Sequence, residues 1–327
     1  MPNHARRMMQ SLKREAFVIS GSTRGYAAVI GAALLWASCG TVGKALFHGG
    51  MSPFQLVQIR VTFSTVFMAL AFLLVDRSLF RIRRGDLLYF FLLGGVVLVL
   101  VQFSYFMAIS KIQVAAAILL EYLAPVLVAV YSMAFWQERV TVTKVTALVL
   151  AMAGCYLVVG AYNLQILQMN REGILWGLLA ALSFGSYTLL GERGMHRYRP
   201  WTVVFYAFLF AGLTLNVLHE PFQYFRAAYT PRQWLVLLYV VMAGTILPFG
   251  LYFMGVNYIR STRTMITATL EPISAAFMAF FLLGEVLEPL QAMGGILVVA
   301  AIVLLQLGRE RDELAPDRVR QHGPASP

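Results

Sequence analysis

Apolar runs of spanning length recur along the whole chain, and nothing else in the sequence restricts its fold so much. About 20 consecutive apolar residues cross the hydrocarbon core of a bilayer. Ten segments have that character: 26–46, 53–75, 87–109, 112–134, 140–161, 173–191, 201–219, 233–255, 263–283 and 289–307. Backbone amides have no water to bond inside lipid, so each run must be helical. The segments between them are short, so neighbouring helices are antiparallel and no soluble domain fits between them. Hydrophobic residues make up 59% of the 327, and charged residues 13%. An ordinary globular protein carries about a quarter charged residues. The predicted fold class is an all-α polytopic membrane protein of ten transmembrane helices.

The basic residues orient the spans. The net charge is +11, which in a soluble chain would suggest nucleic acid. Here the positive-inside rule explains it, and no nucleic-acid partner is expected. With the N-terminus in the cytoplasm, the inner loops collect Arg77, Arg81, Arg83, Arg84, Arg139, Lys144, Arg193, Arg197, Arg199, Arg260 and Arg263. The outer side keeps Lys111, Arg171, Arg226 and Arg232. Residues 1–24 read as a retained basic cytoplasmic leader, not a cleaved signal. Residues 308–327 read as a disordered cytoplasmic tail. Both termini are expected to be cytoplasmic in a multi-pass inner-membrane protein.

The chain also repeats itself. Tyr105–Ala108 (YFMA) returns as Tyr252–Gly255 (YFMG), Pro125 as Pro272 and Glu138 as Glu285, all at an offset of 147 residues. Gly25, Ala32, Ala33, Leu34 and Ser38 match Gly173, Ala180, Ala181, Leu182 and Ser186 at an offset of 148. The division is therefore a first five-helix repeat over 25–161, a periplasmic linker over 162–172 and a second repeat over 173–307. Five is odd, so the second copy must be inverted relative to the first. Inverted repeats around a midplane site recur in secondary transporters, which expose one site to either side in turn.

The ten spans, the duplication, the prolines in YLAP (Tyr122–Pro125) and LEP (Leu270–Pro272), and the ends FWQE and LLGE (at Glu138 and Glu285) resemble the drug/metabolite transporter superfamily, EamA type. The resemblance covers about 25–307. It implies a carrier of small metabolites, often an amino acid exporter, with a central cavity between the halves. The leading expectation is export of amino acids or related solutes by alternating access. Carriage of drugs or sugar derivatives is the alternative. From another class, an intramembrane enzyme would need a nucleophile–base pair or a metal cluster, and neither is legible. There is no Walker A motif, no HExxH and no room for an ATPase domain. No cofactor and no metal are expected, and protons are a candidate partner beside the substrate and the bilayer.

Ionisable groups inside spans are costly and by default mark function. Glu121 lies nine residues into its run, or roughly 13 Å deep at 1.5 Å per residue. It is either a substrate or proton site or half of a structural ion pair, with Arg60 at similar depth as the partner. Lys44 lies near the outer end of span 1, where snorkelling competes with substrate contact. Glu271 in LEP is the acid of the second half. Gln102 is the strongest neutral candidate, because a buried amide needs partners. Tyr122, Trp36 and Tyr187 complete the candidate substrate-binding set, with packing as the competing role of each aromatic. Pro125 and Pro272 free the carbonyl four residues earlier and are candidate hinges, or else static kinks. Span 1 has no glutamate of the kind small multidrug exporters use for cations. Arg60, Lys44 and Glu121 together suit a zwitterion or an anion. Cys39 and Cys155 read as small packing residues with no disulfide.

Overall fold

The computed structural model describes residues 21–39, 42, 46, 51–112, 114–136, 141–162, 171–218, 229–283, 288–307 and 315–322. Lys44, Glu138, Glu285 and most of the basic leader lie outside the described residues.

The helices are α1 (21–39), α2 (Pro53–Val75), α3 (Arg84–Lys111), α4 (Val114–Glu121), α5 (Ala124–Phe135), α6 (Val142–Val158), α7 (Arg171–Met195), α8 (Pro200–Leu218), α9 (Pro231–Ala268), α10 (Leu270–Leu283), α11 (Pro289–Leu307) and α12 (Pro316–His322). Seven helical stretches among the described residues are long and apolar enough to span a bilayer, one of which, Pro231–Ala268, is two helices joined across a kink at Arg260, and Val142–Val158 is a shorter apolar helix. The protein is thus all-α, polytopic and multi-pass. Leu74, Val75, Val142 and Val217 are each more than 80% exposed, which suits lipid and would be an aggregation hazard in water.

Local chemistry sets several helix ends. Ser52 opens α2 with a capping box closed by Gln55, and Thr230 opens α9 in the same way with Gln233. Each has proline just inside the start, where the missing amide is harmless. Both α3 and α9 contain a stretch of π-helix, at Phe91–Leu98 and Met242–Ile246. A π turn displaces backbone groups from the regular ladder and is frequent at functional sites.

Close crossings fix the bundle. α6 and α11 meet at Gly154 and Gly294, where an added Cβ on either glycine would lie 2.7 Å from the other's carbonyl oxygen. Small residues let membrane helices approach this closely. The aromatic core runs through α7 and α9, with Tyr187 stacked on Phe253 at 4.9 Å.

Three features depart from the sequence reading. Span 4 is interrupted by a tight turn at Tyr122 and Leu123, across which the Tyr122 amide still bonds the Ile118 carbonyl, so Pro125 sits just past a local kink in the first turn of α5. Pro272 likewise sits in the first turn of α10, just past a break at Thr269. Proline is tolerated there because its missing amide falls among the unpaired ones. The tail read as disordered carries a helix, α12. Its Arg320 donates to the carbonyls of Met195 and Tyr198 and, at 2.6 Å, to Asn257 Oδ1. Finally, Arg260 is not a solvated loop cation. It is buried, takes a left-handed backbone with φ of 63°, and pairs with the buried Glu192 at 2.9 Å.

Candidate functional site

The breaks in the two discontinuous helices meet. The Tyr122 hydroxyl donates to the carbonyl of Ala268, at the end of α9, at 2.8 Å. It also lies 2.9 Å from Glu271 Oε2 in the first turn of α10. Broken helices leave main-chain carbonyls unpaired, and in lipid such backbone persists only where protein or a cavity supplies partners. The first turn of a helix also favours a carboxylate, because the free amides there carry partial positive charge.

These breaks border a cavity between the two halves of the sequence. From the first half it takes Trp36 and Cys39 on α1, Arg60 on α2, Gln102 and Tyr105 on α3, and Glu121 and Tyr122 at the α4 break. From the second half it takes Phe184 on α7, Gly244 and Phe249 on α9, and Glu271 on α10. The cavity encloses about 80 Å³. That holds a few waters and falls short of the roughly 300–1,000 Å³ of small-molecule sites.

Arg60 is held from three sides. Its Nε donates to Thr245 Oγ1 and one terminal nitrogen to the Gly244 carbonyl, both at 2.8 Å. Its Cζ lies 5.1 Å from the centre of the Phe106 ring, within range of a cation–π contact. The π stretch of α9 contributes both acceptors, so an irregular turn in the second half anchors a cation from the first. Among the described residues no ion pair joins Arg60 to Glu121, and the expected partnership is absent in this conformation. Glu121 is half-buried and makes no hydrogen bond to any described residue. Gln102 is buried, and its Nε2 has no hydrogen-bond partner. An unpaired amide donor facing a cavity awaits water or a ligand.

One wall is aromatic. Trp36 packs edge-on against Phe249 at 5.2 Å and Phe184 at 6.2 Å. Tyr187 supports this wall from behind, edge-on to Phe249 at 6.0 Å and stacked on Phe253, and does not line the cavity. Sequence reasoning missed three things. Cys39 faces the cavity instead of packing as an apolar residue. The Gly244–Thr245 anchor of Arg60 carries no charge signal. The Glu192–Arg260 pair, to which Ser261 adds its amide at 2.7 Å, had one visible sign, an acid near the end of an apolar run at Glu192.

A family model described as the EamA-like transporter family matches twice, over residues 23–160 and 171–307. The chain belongs to the EamA-like transporter family. It is a secondary transporter of small metabolites. Relatives agree with the family. The uncharacterized inner membrane transporter YicL of Salmonella typhimurium is 27% identical over 295 residues, covering 89% of this chain and 98% of the relative. An uncharacterized transporter of Archaeoglobus fulgidus is 31% identical over 201 residues, covering 62% and 70%. The riboflavin transporter ImpX of Fusobacterium nucleatum is 25% identical over 239 residues, covering 69% and 79%. A solved crystal structure superposes with a TM-score of 0.72 at 19% identity, covering 87% of this chain and 97% of its own. At that identity the likeness concerns the fold alone.

Proposed function

We propose that this transporter is an inner-membrane carrier that exports amino acids or related zwitterionic solutes by alternating access. In this reading ten spans form two inverted halves, 25–161 and 173–307, joined by a periplasmic linker, with both termini cytoplasmic. The observation that carries it is the composition of the cavity wall. Arg60 sits opposite two carboxyls, Glu121 and Glu271, with an unpaired Gln102 amide and an aromatic face beside them. A guanidinium suits a substrate carboxylate, and a free carboxylate suits an ammonium. A substrate of amino acid size must widen the narrow cavity, and the breaks beside Pro125 and Pro272 are places where the bundle can bend. Glu121 and Arg60 are in this reading the two poles of the site, with Gln102, Tyr122 and Trp36 shaping it and Glu271 beside them.

A second reading draws on the Trp36–Phe184–Phe249 wall, which suits a planar heteroaromatic solute, and on the riboflavin transporter among the relatives. Both are tested by counterflow in proteoliposomes against labelled amino acids, nucleosides, riboflavin and a cationic dye. Exchange of a zwitterionic amino acid is the expected result. Exchange of riboflavin alone would favour the second reading, and exchange of the dye alone would contradict both.

A further inference from the structure

The Tyr122 hydroxyl has one proton and two acceptors within hydrogen-bond reach, so the position of that proton bears on the protonation of Glu271. The Tyr122 hydroxyl makes two short contacts, 2.8 Å to the Ala268 carbonyl and 2.9 Å to Glu271 Oε2. A phenol has one proton to donate, and a carbonyl oxygen has none. If the Tyr122 proton lies toward Ala268, the phenol oxygen presents a lone pair to Glu271. In that arrangement two bare oxygens at 2.9 Å would repel, and a second proton, held by Glu271, resolves the contact.

The charge of the cavity gives an independent reason. It contains one guanidinium, Arg60, and two carboxyls, Glu121 and Glu271. Burying net charge away from water is costly, and one proton on one carboxyl brings the sum to zero. The two carboxyls differ in geometry: Glu121 has no hydrogen-bond partner among the described residues, whereas Glu271 faces an oxygen placed to accept. The other ionisable groups around Glu271 are Tyr105 on α3, Cys39 on α1 and Cys155 on α6. Arg60 of α2 also lines the cavity, and Tyr252 of α9 is buried outside it, its hydroxyl 2.7 Å from Thr188 Oγ1. The sequence of α11, Pro289–Leu307, has no charged residue.

We propose that Glu271 is a proton-binding site whose carboxyl is protonated in this conformation and donates to the Tyr122 hydroxyl oxygen. The proton is delivered by a hydronium ion of the cavity water: one O–H bond of hydronium breaks, one O–H bond forms on Oε2, and neutral water is left behind. The inference deepens the transport reading by naming a bound proton beside the substrate. Because the bond joins the ends of the two broken helices, movement at either break removes the acceptor and favours loss of the proton. Glu271 thereby couples its proton to the shape of the cavity.

The test is infrared spectroscopy of the full chain in phosphatidylethanolamine–phosphatidylglycerol vesicles as pH is raised from neutral. It needs no substrate, so its outcome is separate from that of the counterflow screen. The wild type is expected to show a hydrogen-bonded carboxylic-acid carbonyl band that disappears at alkaline pH. Glu271→Gln is expected to abolish this band, and Glu121→Gln to leave it. Tyr122→Phe, which removes the acceptor, is expected to move it to higher frequency. Should Glu271→Gln fail to fold, Tyr122→Phe still decides the matter, since an unmoved band would overturn the proposal. So would a band lost in Glu121→Gln but kept in Glu271→Gln, or no such band in the wild type, which would mean a hydroxyl shared between an ionised Glu271 and Ala268.

Discussion

Arg60 shows what a single residue reveals about its surroundings. Its charge in an apolar run marked it from the sequence, because an intramembrane cation needs a reason. Its partners were invisible there, since Gly244 and Thr245 lie far along the chain and carry no charge. Glu121, Gln102 and Glu271 were legible on the same grounds of cost, and the structure brings all four to one cavity. Tyr187 was not separable from Tyr122 by sequence, because an aromatic in a span looks the same whether it packs or lines a site. Lysine keeps the charge of Arg60 but not the planar fork. Arg60→Lys is therefore expected to weaken substrate affinity at least tenfold in counterflow while the protein stays folded. Unchanged affinity would remove Arg60 from the site. The Glu192–Arg260 pair makes a different prediction. Removing one partner of a buried pair strands the other and costs about 3–5 kcal/mol. Glu192→Ala is expected to lower the thermal unfolding midpoint markedly in detergent, and Glu192→Ala/Arg260→Ala to recover part of the loss. An unshifted midpoint in the single variant would mean the pair contributes nothing. Outside the spans, Asp76 accepts from Ser78 and pairs with Arg199 at 2.9 Å, and Ser78 foremost holds its carboxyl below the usual range. Whatever stability that contributes is present above the ordinary carboxylate value and is lost as pH falls through the depressed one.

The length of the apolar runs marked the chain as an all-α membrane protein, since a bilayer leaves few alternatives. Breaks within them were less legible. The sequence marks where a proline interrupts the ladder but does not reveal whether partners exist for the freed backbone. Here Tyr122 supplies one for Ala268. If the breaks bend during the cycle, Pro125→Ala, which permits a continuous α4–α5 helix, is expected to slow counterflow severalfold while leaving equilibrium affinity near wild type. A large affinity loss with a normal rate would make Pro125 part of the binding site. The α12 helix was missed because its composition is that of a solvated tail, and what orders it is a distant docking site on the α7 end and α9. Hydrogen bonds to a charged group contribute about 1.5–3 kcal/mol. Arg320→Ala is expected to lower the unfolding midpoint by a few degrees and to make residues 315–322 cleavable by added protease. Equal protease resistance would show that α12 is held some other way.

For the whole molecule the central idea is a cavity between two related halves that opens to each side in turn. The duplication was readable because a constant offset over several helices is hard to obtain by chance, and the family model matches each half separately. The cavity itself was not readable, since no sequence pattern states which faces of seven helices converge. Topology is checked with reporter fusions, expected to read cytoplasmic after Arg84 and after Gln321 and periplasmic after Gln168. A cytoplasmic reading at Gln168 would remove the inversion. The most direct measurement uses Cys39, which the sequence shares with only one other cysteine, the fully buried Cys155. Cys39 lines the cavity next to the helix breaks. A small, membrane-impermeant methanethiosulfonate reagent is added to right-side-out and then to inside-out vesicles, with and without the substrate found by counterflow. Alternating access requires that Cys39 react from both sides and that bound substrate slow both reactions. Labelling from one side only, or labelling indifferent to substrate, would contradict a central site alternately open to the two faces of the membrane.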